Sequence, residues 1–276
     1  MRRRKQDEKV YPRLLPGVLF RVKRGRGQDM IEKLLIIYDK LILIFMQLFS
    51  GRLKKSMSDS QYEENTKAWK GKSTDGGEVA SSADNLCTRA MDAGFRYIEN
   101  QRALDTMLYG KSGKLSDKLF FGGEHMTAAD NACEVIAVYN LFAALDMKEG
   151  HDLPELMKVF SEKGICFKGR FGTSPKALTE YLRAEGLKVE SLSAGRLEKE
   201  HIDKLETRYD AYIFMAYNEA HKVTSMLHTM CITKETSGFV RHNSGNATPY
   251  TSLNEAVYAY NGGKSSPLFV LGAKRP

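Results

Sequence analysis

The feature that most constrains this chain is a change of hydrophobic period partway along it. In "ADNACEVIAVYNLFAAL" (129–145), Val135, Val138, Tyr139, Phe142 and Leu145 recur at helical spacing, with Asp130 as the expected cap and Glu134 in the first turn. "HDLPELMKVFSEKG" reads as a second helix, capped by Asp152 and stopped by Gly164. "GTSPKALTEYLRAEG" reads as a third, with Ser174 as cap, Pro175 at the first helical position and Gly186 as stop. "NLCTRAMDAGFRYIENQRALDTMLYG" also carries helical spacing up to Gly110, and "KLFFGGEH" a short apolar run. After the strand "LKVESL" the pattern switches. "DAYIFMAYN", "LHTMCITK", "GFVRHNS" and "PLFVLG" are β-type runs, with one short helix, "SLNEAVYAYNGG", capped by Ser252. Helices first and antiparallel strands second predict an α+β fold, not an alternating βαβ one.

Charge divides the chain differently. Residues 1–55 hold 15 Lys and Arg against 5 Asp and Glu, leaving 27 basic against 29 acidic in the remainder. The overall charge of +8 therefore belongs to the N-terminal segment. No nucleic-acid contact is expected, because no recognised fold or aromatic platform accompanies that charge. Within the segment, "KLLIIYDKLILIFMQLF" (33–49) is an apolar helix interrupted by Asp39 and Lys40. It suits three settings: packing on the protein's own core or a partner, lying on a membrane surface, or spanning a bilayer. The span is disfavoured by its length and the central charge pair. Residues 56–84 are polar and rich in Gly and Ser, which predicts a linker with Trp69 as a lone docking contact. The expected organisation is thus 1–55 basic segment, 56–84 linker and 85–276 folded domain.

Four scattered cysteines (Cys87, Cys133, Cys166, Cys231) contain no C-x-x-C pair, which argues against a zinc knuckle or a disulfide scaffold and for a reducing, cytoplasmic setting. No metal or cofactor is expected; "RFGTSP" lacks the lysine and glycine spacing of a phosphate loop. Cys133 stands out because a helix N-terminus favours a thiolate. A nucleophile needs a base, and the base an orienting acceptor. His228 opens a strand, and Asn243, fifteen positions on, returns to its level across a hairpin. Cys231, three residues after His228, faces the opposite side of that strand.

The order of helical Cys, strand His and neighbouring Asn resembles papain-like cysteine peptidases. The likeness is greatest to the bacterial double-glycine leader peptidases of bacteriocin exporters and related stand-alone proteins. It rests on "DNACEVIAVYNLF", "GTSPKALTEYLRAEGLKV", "LHTMCITKETSGFVRHN" and "SLNEAV", and covers about 120–272, with nothing matching before residue 85. The resemblance implies Cys133 as nucleophile, His228 as general base and acid, and Asn243 as its orienter. It implies a peptide or acyl substrate and no cofactor. The sequence departs from the family at two points. Thr127 stands where a glutamine usually donates to the oxyanion, leaving Asn131 as a replacement, and Glu134 replaces the glycine after the nucleophile. Three functions stay open: a thiol peptidase, an acyltransferase of the same fold, and a non-catalytic module binding a peptide or partner.

Overall fold

The computed structural model describes residues 26–50, 57–74, 87–90, 96–111, 125–147, 150–163, 173–222, 226–245 and 248–276. In chain order these form α1 (Arg26–Ser50), α2 (Asp59–Thr74), β1 (Cys87–Ala90), β2 (Arg96–Ile98), β3 (Leu108–Lys111) and β4 (His125–Thr127). There follow α3 (Ala128–Asn131), α4 (Cys133–Ala144), α5 (Leu153–Lys163), α6 (Pro175–Ala184), β5 (Lys188–Ser193), α7 (Lys199–Arg208) and β6 (Ala211–Tyr217). The chain closes with β7 (Leu227–Glu235), β8 (Gly238–His242), α8 (Leu253–Tyr258) and β9 (Pro267–Lys274).

The fold is α+β, as the change of period predicts. Five antiparallel strands form the main sheet in the order β5-β9-β6-β7-β8. Alternation along each strand divides the core between the two faces. Ile213, Met215, Tyr217, Leu227 and Cys231 belong to the cluster around α4, α5 and α6, whereas Tyr212, Phe214, Met230 and Ile232 pack with α7 and α8. Helix α4 lies against β7 and is buried on all sides from Cys133 to Ala143, so its apolar positions form no single stripe. Ser174 and Ser252 cap α6 and α8 by accepting from the main-chain N–H groups of Ala177 and Glu255. The β7–β8 hairpin turns at Gly238, whose φ of +119° and closeness to the Tyr250 carbonyl exclude a side chain.

Two expectations are corrected. The segment read as a helix over 85–110 instead forms β1, β2, a short 3₁₀ turn and β3. Three asparagine side chains compete successfully for its backbone. Asn140 brackets Ile98, accepting from its N–H at 2.8 Å and donating to its carbonyl at 2.9 Å. Asn65 does the same at Leu108, at 2.8 and 2.9 Å. Asn243 accepts from the Gln101 N–H at 3.0 Å. Side-chain amides used this way act as surrogate strand neighbours and override helical spacing.

The second correction concerns 56–84, where composition reads as a linker. Residues 59–74 form α2, docked on the domain. Its polar face makes the contacts: Asn65 is buried at Leu108, and Tyr62 donates to Glu155 at 3.0 Å. Trp69 meets Tyr139 edge-on with ring centroids 5.6 Å apart, the docking contact expected of it. "KLFFGG" and Cys166 lie outside the described residues.

Helix α1 docks too. Asp39, the charge interrupting its apolar run, is 5% exposed and accepts from the Tyr217 hydroxyl at 2.9 Å. His221 Nδ1 lies 3.2 Å from the same oxygen. The acidic residue that makes a bilayer span costly is therefore the anchor that holds the helix to the end of β6.

Candidate active site

The nucleophile candidate opens α4. The preceding four-residue α3 is capped by Thr127, whose N–H and hydroxyl donate to Asp130 at 3.3 and 3.2 Å. Asp130 is thus the third residue of α3 and not the cap of the Cys133 helix, while Thr127 is occupied as a cap. Asn131 is buried and donates to the Tyr109 carbonyl at 3.4 Å, which occupies one hydrogen of its amide. The first-turn N–H groups of α4 lie beside the sulfur, where they have no intrahelical acceptor, and that of Glu134 donates to its own carboxylate.

Cys133 is 7% exposed, and its thiol donates to Glu134 Oε2 at 3.1 Å. Burial, then the Glu134 charge and this hydrogen bond, push the thiol well above its ordinary value, with the N–H and hydroxyl of Thr229 pulling the other way. The helix dipole alone favours a thiolate; here burial and the neighbouring carboxylate outweigh it. Burial likewise raises the Glu134 carboxyl to about 7, opposed by hydrogen bonds from Cys133, its own backbone, Thr173 and Thr229.

His228 is placed at the start of β7, opposite Ala216 of β6. Alternation puts Thr229 on the face of α4 and His228 on the other. No hydrogen bond joins His228 to Cys133. Its ring stacks on Tyr260, centroids 6.2 Å apart; burial, and then the charge of a Cys133 thiolate, raise the Tyr260 hydroxyl to about 12. Tyr260 thus stacks on His228 while lying within electrostatic reach of Cys133.

His228 Nε2 donates to the main-chain carbonyl of Asn243 at 2.7 Å, since a carbonyl can only accept. That assigns the proton to Nε2 and leaves Nδ1 as the acceptor. Burial lowers the imidazole below its ordinary value, so the ring is neutral at pH 7. The structure brings Asn243 to His228, but through its backbone. Its side-chain amide donates to Gln101 Oε1 at 3.1 Å, and Gln101 Nε2 continues to the carbonyls of Ala128 and Ala129 at 3.1 and 3.0 Å. Asn243 has a φ of 60°, which asparagine tolerates better than most residues.

A second polar cluster lies on the α4 face. His242 pairs with Cys231 across the ladder, its Nδ1 2.6 Å from Glu99 and its Nε2 2.8 Å from Thr233. Glu99 also accepts from the Asn243 N–H at 3.1 Å. Cys231 and His242 are fully buried, so this pair braces the turn that carries Asn243. Cys231 faces away from His228, as strand alternation predicts.

Gln101, Glu99 and Tyr260 were not legible as site residues. Nothing in their local sequence distinguishes them; long-range packing recruits each. Among the described residues, no group of three or more His, Cys, Asp or Glu is placed to hold a metal ion. Comparisons of the chain with family models, with curated proteins and with solved structures found no match.

Proposed function

We propose that the chain is a papain-like thiol enzyme that transfers acyl groups, with Cys133 as nucleophile and His228 as proton shuttle. The observation that carries this reading is the 2.7 Å bond from His228 Nε2 to the Asn243 carbonyl, which leaves a neutral Nδ1 on a ring stacked against Tyr260, whose hydroxyl feels the charge of Cys133. In the resting arrangement Cys133 is a protonated thiol held by Glu134. For turnover, the thiol leaves Glu134, the His228 ring turns from its stack on Tyr260 toward the start of α4, and the proton passes to His228 Nδ1. The sulfur bonds to a peptide or other acyl carbonyl carbon, with first-turn N–H groups of α4 facing the oxyanion. The C–N bond breaks as His228 returns the proton to the leaving amine, and water hydrolyses the thioester. An amine in place of water makes the same site an acyltransferase. Free Cys133 and Cys231 suit a reducing, cytoplasmic compartment.

A second reading is favoured by one contact. The Cys133–Glu134 hydrogen bond and the thiol's burial suit a papain-type fold retained to bind a peptide without chemistry. A peptidyl epoxide separates the two. A single adduct mapped to Cys133 by intact-mass and peptide analysis, lost in His228→Ala, supports the enzyme. An unmodified Cys133 after prolonged exposure, with the fold intact, overturns it.

A further inference from the structure

Helix α1 has two apolar faces, and among the described residues only one packs on the domain. Asp39 and Met46 are buried on the domain, with Ile42 and Leu43 beside them. Turned away from them lie Met30, Leu34, Ile37, Leu41, Ile44 and Leu48, each 51–60% exposed. Their spacing of four, three, four, three, four makes one continuous row about five turns long. Contiguous exposed apolar surface of this kind marks an interaction site. No helix among the described residues is long and apolar enough to cross a membrane, and Asp39 ties this one to Tyr217.

Charge identifies the occupant. Residues 1–29, which run directly into this helix, hold 10 Lys and Arg against 3 Asp and Glu. Lys33 and Lys40, both exposed, border the apolar row on one flank, one heptad apart, with the end of the Lys40 side chain passing over Gly195. A second copy of the helix meets this face poorly. Antiparallel pairing sets these lysines against each other, and parallel pairing sets them against Ile31, Tyr38 and Phe45, with no acidic partner in either case. An anionic lipid surface answers both features. It takes the apolar row into the acyl boundary and the flanking lysines at headgroup level, with the upstream basic segment adding long-range attraction. We propose that α1 is an in-plane anchor by which the folded domain docks on an anionic membrane, independently of whether Cys133 is catalytic. The docked helix sits at the end of β6 that pairs with Leu227, the neighbour of His228, so the anchor holds that end of the sheet toward the lipid.

Vesicle sedimentation of the full chain tests this, using phosphatidylcholine alone or with about a third phosphatidylglycerol. Wild type is expected to sediment with the anionic vesicles only and to be released between about 0.1 and 1 M salt, as screening removes the attraction. Ile37→Asp with Leu41→Asp, both on the exposed face, lowers binding more than tenfold with unchanged circular dichroism. Lys33→Gln with Lys40→Gln, which leaves the apolar row intact, lowers it about thirtyfold. Wild type left in the supernatant with anionic vesicles overturns the proposal. So does binding that ignores both double variants, or a dimer in sedimentation velocity that the Asp variant splits while vesicles capture nothing.

Discussion

His228 Nε2 lies 2.7 Å from the main-chain carbonyl of Asn243, while the Asn243 side chain pairs with Gln101. The orienting group is backbone, so the side chain is replaceable in a way a side-chain orienter is not. Asn243→Gly keeps the φ of 60° and the carbonyl, and loses two hydrogen bonds worth about 1 kcal/mol each. Asn243→Ala loses the same bonds and adds about 1 kcal/mol of left-handed strain. In both, nitrogen-resolved NMR is expected to find His228 still protonated on Nε2 and titrating below its ordinary value. A switch of tautomer in Asn243→Gly contradicts backbone orientation.

Glu134 makes stability depend on pH. Its carboxyl titrates near 7 in the folded chain and near 4.5 when unfolded, so between those values the folded state binds more protons. Stability therefore falls as pH rises through this window, by roughly 3 kcal/mol in all. Glu134→Gln is expected to flatten the dependence of the denaturation midpoint between pH 5 and 7 and to lower the Cys133 pKa by removing the neighbouring charge. An unchanged slope contradicts a buried, proton-binding Glu134.

Helix α2 belongs to the core despite its polar composition. Trp69→Ala is expected to cost about 3–5 kcal/mol, and Asn65→Ala about 1–3 kcal/mol by orphaning both backbone groups of Leu108. Chemical denaturation of the full chain checks both. Changes under 0.5 kcal/mol are those of a solvated linker.

The α+β order, the caps Ser174 and Ser252, and the positions of β6 to β9 were legible because local pattern and tertiary packing agree there. The segment around Ile98 and Leu108 was not, because side chains 42 and 43 residues away hold its backbone. The Asp39 anchor escaped notice for the same reason, since its partner Tyr217 is 178 residues distant. At the site, residue types and order pointed to Cys133, His228 and Asn243, but spacing alone does not tell a side-chain contact from a backbone one. Nor does it show Glu134 holding the thiol.

Asp39 gives that anchor a measurable strength. Asp39→Ala leaves the Tyr217 hydroxyl buried and unpaired, at an expected cost of about 1–3 kcal/mol. Proteolysis within α1 is expected to accelerate before global unfolding. Equal cleavage rates in variant and wild type contradict a docked helix held by this bond.

The rate of Cys133 alkylation by iodoacetamide at neutral pH, compared between wild type and His228→Ala, tests the thiol–imidazole chemistry most directly. Alkylation of Cys133 that falls about a hundredfold without the imidazole is the expected result. Equal rates in the two proteins contradict it.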